Sequence, residues 1–526
     1  MPEAPLSLAP LESEAAALAE DHNHSLAAGR RFSAARPGHR GLEESTNRIL
    51  DRLREGEPEK VRKHPYAEWL LDNGHILRAT LQQVDKGLPA KYYRQLPTVA
   101  APPGNGRQPR VTALVDKAVE IGQGPVELGR FERFCAAYQT VAPLTIGELW
   151  ALPTMLRVRL MQQICGTAEQ AWRMTRNSAP AAEIAELTSG IAGCITSLRN
   201  ISAIQWEAFV ERLSRVDSIL RQDPVGMYAR MDFDTRNDYR DTVERAARTS
   251  KVSEWDVAET ALSLAREGQQ RDRLHREQHV GYYLLDAGLL ELLSALNVRG
   301  LAIRKVLPAR SPRRGLLYVL SLTSIAATLC ALFATWLKDA GTPLPLLIAA
   351  TALATIPTLT LSSNLINTLL ARLRRPRKLP KLDFSDGISP EYRAVVAVPA
   401  MLSSRAAIDE TLHMLELNYL GNSDPLLQFV LLTDYLDAPQ MTMPGDQDLL
   451  DYMVAGVDKL NRRYVAGNRE PFALRHRKRR WNDAAGVWMG WERKRGKLVQ
   501  FNELLRGDED AFELQHGTLT EPGEIR

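Results

Sequence analysis

Two long uncharged runs limit the architectures open to this chain more than any other feature. Leu316–Leu337 reads LLYVLSLTSIAATLCALFATWL, and residues 343–371 read PLPLLIAATALATIPTLTLSSNLINTLLA. At about 1.5 Å per residue, each helix crosses a hydrocarbon core of about 30 Å. Lipid offers backbone amides no partner, so a helix is the form such a run must take, and the kink expected at Pro357 is tolerated there. Lys338–Asp339–Ala340–Gly341–Thr342 makes a tight connection, and the two spans form a hairpin. Arg304, Lys305, Arg310, Arg313 and Arg314 precede it; Arg372, Arg374, Arg375, Arg377, Lys378 and Lys381 follow. Cationic flanks stay on the cytoplasmic side, which puts both large flanking regions there. The competing reading is a buried helical pair in a soluble body.

The hairpin divides the 526 residues. Residues 1–57, rich in Ala, Glu and Arg without an apolar stripe, read as a mobile arm. Residues 58–300 read as a helical cytoplasmic domain, 301–381 as the hairpin with its basic flanks, and 382–526 as an α/β region. Met1–Pro2–Glu3 opens no secretory signal. A net charge of +4 on 67 basic and 63 acidic side chains argues against nucleic acid, since no base-reading motif accompanies it. Cys135, Cys165, Cys194 and Cys330 have neither metal-ligand nor disulfide-framework spacing, so they read as small buried apolar residues.

In the helical region, Phe209, Leu213, Val216 and Leu220 recur at helical steps and share a face, with Glu211, Arg212 and Arg215 pointing away. Pro224 and Gly226 stop that helix. Thr145 and Glu148 have capping-box spacing, and Pro153 is expected to end their helix. Ser253 caps a helix over 254–267. His64 and His279 are isolated and read as structural. Tyr92 and Tyr93 read as packing residues, with sugar stacking as the alternative. Asp232 and Asp234 suit either a metal or a salt-bridged turn; Arg230, Arg236 and Arg240 favour the turn.

After Pro390 the pattern changes. YRAVVAVPAML and LLQFVLLTDYLDAP read as strands buried on both faces, joined by a helix over 405–419. Strand, helix, strand implies a parallel unit, and ligands bind beyond the carboxyl ends of such strands. Pro399, Ala400 and Met401 lie at one end, Thr433 and Asp434 at the other. Asp434 there accepts hydrogen bonds from a nucleobase or ribose, or caps the next turn; the pattern leaves both open. A helix over 447–464 leads to PFALRHRKRRWN, a third strand running into Arg475, Arg477, Lys478, Arg479 and Arg480. Trp488, Gly490 and Trp491 follow, then Arg493, Lys494, Arg495, Gly496 and Lys497. A cationic turn opening a helix suits a diphosphate, or alternatively an anionic lipid surface.

VPAMLSS, NYLGNSDP, LLTDYLDAP, MPGDQDLL, RKRRWN and WMGWERKRGKL resemble the glycosyltransferase region of bacterial cyclic β-1,2-glucan synthases. AEWLLDN, YYRQLP, PLTIGELWALP, DPVGMYARMDF and HVGYYLL resemble the N-terminal region of that family. The resemblance spans about Tyr66 to Gly507. It implies an inner-membrane enzyme that uses UDP-glucose, a GT-A nucleotide-sugar fold, Mg2+ or Mn2+, and a glucan product. Carried over by motif, Val398 and Pro399 border the uridine, Asp434 contacts uracil or ribose, and Lys497 contacts the nucleotide with Arg495 as a weaker companion. The family's Asp-x-Asp metal motif, catalytic carboxylate and Gln-x-x-Arg-Trp helix have no counterpart here. Asp508–Glu509–Asp510 follows a helix rather than a strand and reads as solvated loop. The resemblance therefore implies the N-terminal portion of a synthase, expected to be inactive alone; the alternative is a non-catalytic membrane adaptor or regulator of a glucan-synthesis complex.

Overall fold

The computed structural model describes residues 9–26, 39–56, 64–101, 106–122, 126–306, 312–373, 379–464, 470–508, 512–519 and 525. It falls into two compact units, Met1–Lys381 and Leu382–Arg526.

The first unit is almost entirely helical. The expected mobile arm contains two helices, α1 (Ala9–Ser25) and α2 (His39–Asp51). Leu11, Ala15 and Ala19 are buried, as are Ile49 and Leu50. His22 Nδ1 lies 2.8 Å from the Tyr138 hydroxyl. The apolar stripe is sparse but real, and small alanines let α1 approach its neighbour closely. A short ribbon pairs β1 (Thr98–Ala100) with β2 (Arg107–Pro109).

The longest helix of this core is α3 (Ile146–Arg176), which opens on the expected Thr145–Glu148 capping box. It runs through Pro153 instead of ending there. One lost backbone bond is outweighed by burial of Leu149, Leu152, Met155 and Leu156 around the proline. The single helix expected over 209–220 is two, α4 (Trp206–Leu213) and α5 (Arg215–Leu220), broken where Ser214 caps the second. Phe209, Leu213, Val216 and Leu220 are all buried. Glu211 does not point away: it pairs with Arg236 and Arg240 on α6 (Phe233–Ser250). Those arginines thus serve Glu211 rather than Asp232, which caps α6 and pairs with Lys381 at 3.1 Å. Ser253 caps α7 (Glu254–Gln270) as expected.

His279 sits between Asp223 and the Tyr239 hydroxyl, at 2.8 and 3.0 Å, a satisfied structural role. The Tyr92 hydroxyl donates to the Gly147 carbonyl and Tyr93 is buried, so both pack. All four cysteines are free; Cys135 and Cys194 are buried, Cys165 and Cys330 partly so.

Both uncharged runs are helices, α8 (Pro312–Asp339) and α9 (Leu344–Leu373), long and apolar enough to cross a membrane. They pack together through Ala326, Ser362 and Ile366, with Tyr318 donating to Asn367 at 3.1 Å. Their outer faces stay bare: Leu316, Leu353 and Ile356 are among many exposed leucines and isoleucines. A helix buried in a soluble core would not leave such a surface uncovered. Pro357 lies inside α9. The expected basic flanks fall mostly outside the described residues: the side chains of Arg304, Lys305, Arg310, Arg313 and Arg314, and residues 374–378, are not described.

The second unit is a small mixed sheet between helices. β3 (Ala394–Leu402), α10 (Arg405–Gly421), β4 (Leu427–Tyr435), α11 (Asp446–Tyr464) and β5 (Phe472–Arg477) follow in sequence. The three strands are parallel, and β8 (Leu514–His516) adds antiparallel to β5, giving the order β3-β4-β5-β8. Between them lie a hairpin, β6 (Arg480–Asn482) and β7 (Val487–Met489), and α12 (Arg493–Leu504). α10 and α11 cover one face, through Ile408, Leu415, Met453 and Val457 against Phe429, Leu431 and Leu474. α12 covers the other, through Phe501 and Leu504 against Val430, Leu432 and Ala473. β4 is buried almost throughout, whereas most of β3 is only half-buried. β3 is an edge strand, which corrects the expectation of burial on both faces.

Candidate functional site

The carboxyl ends of three parallel strands converge where the alternation of each strand sends charge to the α12 face. Asp434 on β4 stands opposite Met401 on β3 and Arg477 on β5. Asp434 is 1% exposed. Arg477 grips it in a two-point fork, Nε to Oδ1 and Nη2 to Oδ2, both at 2.7 Å. The rest of the guanidinium donates to Gln500 Oε1 at 2.5 Å and to the Trp491 and Arg493 carbonyls at 3.1 Å. Lys497, on the first turns of α12, brings Nζ to 3.2 Å from Asp434 Oδ2 and donates to the Ala400 carbonyl. Burial lowers the Lys497 pKa; the Asp434 carboxylate opposes that shift without cancelling it. One carboxylate is thus shared between two buried cations, a local surplus of positive charge.

A carboxylate offers about four acceptor positions. Arg477 and Lys497 use three, and no solvent reaches the remainder. Asp434 is therefore the anchor that sets Arg477 and Lys497 in place, and it presents no open oxygen to a ligand.

The chain segment closing this cluster is unusually tight. A Cβ on Gly490 would lie 2.5 Å from Asp434 Oδ2, and one on Gly496 would lie 1.9 Å from the Trp491 carbonyl oxygen. Only glycine fits either position. Between them, Glu492 and Arg493 hold left-handed backbone at φ 52° and 47°. Two adjacent non-glycine residues in that region are strained, and strain is retained where surroundings over-determine it. The two bonds from Arg477 to the Trp491 and Arg493 carbonyls are such surroundings.

The expected cationic run divides by strand alternation. Arg475, Arg477 and Arg479 are buried; Lys478 and Arg480 are exposed. Arg479 pairs with Asp446 and lies over the Tyr435 ring. Burial alone would raise the Asp446 carboxyl, but Arg479 outweighs that with backbone help and holds it below its ordinary value. Arg475 donates only to the Leu474, His516 and Gly517 carbonyls, and burial lowers its pKa to about 10. His476 faces the opposite side of the sheet, 2.9 Å from Thr433 Oγ1, and burial lowers its pKa to about 4. Beside the Asp434 cluster a cavity of about 320 Å³ is lined by Arg477, Lys478, Arg480, Trp491, Gln500, Phe512 and Glu513.

Of the residues singled out in the sequence, Asp434 and Lys497 meet directly and Pro399 lies one residue before Ala400. Val398 packs towards the α10/α11 face, away from Lys497. Arg495 points to solvent, its side chain 80% exposed, and pairs with Glu492 at 3.2 Å. Arg477, named only as one of a cationic run, and Gln500, not singled out, bind the cluster together. The signal available for Arg477 was a lone strand-end acid facing a strand-end arginine one strand away.

The carboxylates near the strand ends are already committed: Asp434 as above, Asp437 to Arg493 at 2.8 Å, Asp446 to Arg479. Among the described residues, no three His, Cys, Asp or Glu side chains gather around a point. These described residues do not fit the divalent cation that the resemblance implies. Glu509 and Asp510 lie outside the described residues.

No family model matches the chain. It is 30% identical over 537 residues to cyclic beta-(1,2)-glucan synthase NdvB of Rhizobium meliloti (strain 1021). That alignment takes in 87% of this chain and 19% of the synthase, so the chain is a partial homologue spanning about a fifth of its relative's length.

Proposed function

We propose that the C-terminal unit is the donor-facing part of a membrane glucosyltransferase that makes cyclic β-1,2-glucan from UDP-glucose. The observation that carries this reading is the surplus of positive charge at the ends of parallel strands: Arg477 and the buried Lys497 share Asp434, and Arg477 lines a cavity together with Lys478, Arg480 and one acid, Glu513. A site with more cations than anions, held by the backbone, is prepared for a diphosphate. The partial homology to a glucan synthase supplies the sugar class.

In this reading the sheet is the opening part of a GT-A fold. Pro399 borders the uridine and Val398 does so through its backbone alone, Lys497 faces the nucleotide from α12, Asp434 fixes Lys497, and Arg495 attracts the donor from the rim. Two membrane spans hold the chain in the inner membrane, with both large regions on the cytoplasmic side where nucleotide sugars occur. The assignment is to binding; no residue of this chain is assigned to bond breaking.

The test is equilibrium binding of UDP to the purified protein in detergent, with limited proteolysis in parallel. UDP is expected to protect a fragment beginning near Asp383, and Lys497→Met to weaken binding about tenfold or more, the loss of one charge-assisted contact. No UDP binding at millimolar concentration, or equal binding by Lys497→Met, would leave the chain as a membrane adaptor of a glucan-synthesis complex.

A further inference from the structure

The hairpin that follows β5 carries an aromatic pair with no role in the charge cluster. Trp481 on β6 and Trp488 on β7 stand directly opposite each other in the ladder. Their ring centroids are 5.9 Å apart with planes inclined at 60°. Trp481 is 49% exposed, and Trp491, just beyond the hairpin, is 44% exposed. Large aromatic surface left open at this level is a feature of binding faces, since folding alone gains nothing from it.

The platform is held rigidly. Trp488 exchanges two backbone hydrogen bonds of 2.9 Å with Ala438, four residues past Asp434, so the hairpin is tied to the carboxyl end of β4. The Trp481 indole N–H donates to Asp483 Oδ1 at 2.7 Å, which fixes the ring's orientation. Arg480, on the opposite face of β6 from Trp481, and Trp491, just beyond the hairpin, both line the cavity beside Arg477.

We infer that this hairpin is the docking platform for the glucan chain that accepts glucose. The inference rests on the glucan-synthase reading above. Flat aromatic faces suit the apolar C–H faces of glucose rings. The exposed Asp483 carboxylate beside Trp481 supplies acceptors for ring hydroxyls. The other partner that favours tryptophan beside arginine is an anionic membrane surface. The hairpin tip speaks against it: residues 483–486 read DAAG, with a carboxylate beside Trp481 and no cation. A carboxylate next to the ring is repelled by anionic lipid, whereas it accepts hydrogen bonds from sugar hydroxyls.

The experiment uses the full chain in lipid nanodiscs, with a linear β-1,2-linked gluco-oligosaccharide, a cello-oligosaccharide and UDP as separate probes. Trp481→Ala is expected to weaken binding of the β-1,2 oligosaccharide about tenfold or more, as truncating an aromatic anchor does, and to leave UDP binding unchanged. Trp481→Phe is expected to restore most of the loss, which a general folding defect would not allow. Binding of UDP without either saccharide overturns the platform and leaves the donor reading intact. Trp481-dependent binding of the cello-oligosaccharide alone keeps the platform and overturns the β-1,2 assignment. Quenching of tryptophan fluorescence by brominated lipid that is lost in Trp481→Phe would place the hairpin at the membrane and overturn the inference.

Discussion

Both units bury ion pairs, but they do so in different ways. In the helical unit, Arg240 is fully buried and divides one nitrogen between Glu211 at 2.9 Å and Asp217 at 3.0 Å. Arg236 holds Glu211, while Tyr228 and Arg221 complete Asp217. Two carboxylates meet two buried guanidinium groups and the half-exposed Arg221, which also reaches Glu211 at 3.2 Å, so cations outnumber anions here as well. In the C-terminal unit one carboxylate meets two buried cations, the adjacent backbone is left-handed at two residues, and a glycine packs against the carboxylate with no room for a methyl group. Buried charge by itself therefore marks nothing. Strain and an opening beside the charge, rather than the charge count, separate the C-terminal cluster from the helical cross-brace.

The largest expected effect tests that distinction directly. Asp217→Ala and Asp434→Ala each strand buried cations, and each is expected to destabilise its own unit by about 3–5 kcal/mol. Protease mapping would assign each loss to its unit. The milder pair, Asp217→Asn and Asp434→Asn, should separate in function: UDP protection survives the first and is lost in the second. Equal UDP protection in both would erase the contrast between the two clusters.

How much of this was legible in sequence follows the range of the forces. The two long apolar helices, the Thr145 and Ser253 caps, and the strand-helix-strand order depend on nearby residues, and composition and spacing reveal them. Pro153 was misjudged because burial on every side of α3 outweighs one missing amide, and burial is a long-range fact. The arm before residue 57 was misjudged for the same reason, since α1 owes its place to packing against Phe131 and Tyr138 rather than to its own weak stripe. Asp434 and Lys497 were legible as motif residues. Their meeting, the fork from Arg477 and the displacement of Arg495 to solvent depend on strand register, which the sequence does not spell out.

The second effect is a pH response that differs between the units. His476, lowered from 6.5 to about 4 by burial, stays neutral in the folded sheet while the unfolded chain takes up a proton. Its contribution is present above pH 6.5 and is lost as pH falls towards 4, up to about 3 kcal/mol. His22 in the helical unit is lowered to about 4 by burial, with the same sign. Glu254 there runs the other way: burial raises it from 4.5 to about 7, against the bond it accepts from the Ile146 amide. Its contribution is full below pH 4.5 and is lost as pH rises through 7. The two offset one another in the helical unit, and among the described residues His476 has no such counterweight in the sheet. Mild acid should therefore open the C-terminal unit first, seen as earlier cleavage within 382–526 at about pH 5, inside that window, than at about pH 7.5, above it. His476→Gln should flatten the difference; loss of both units together at pH 5 would contradict it.

The smallest effect probes the strain alone. Lys251 and Glu492 both hold left-handed backbone, at φ 63° and 52°. Lys251 does so at the end of α6, an ordinary place for one such residue, where its amide bonds the Ala247 carbonyl at 2.8 Å. Glu492 does so beside the Asp434 cluster, next to a second left-handed residue. Glycine at either position relieves the Cβ clash, worth about 1–2 kcal/mol, and gives back part of that gain as unfolded-chain entropy. Glu492 also gives up its exposed pair with Arg495, which is worth little. Lys251→Gly and Glu492→Gly should each raise stability by about 0.5 kcal/mol, a shift of one or two degrees in melting temperature for a unit of this size. Only Glu492→Gly should also weaken UDP binding, because it loosens the turn that sets Arg477 and Lys497. A Glu492→Gly protein that gains stability and binds UDP as tightly as the parent would show that the strained turn is a by-product of packing and no part of the site.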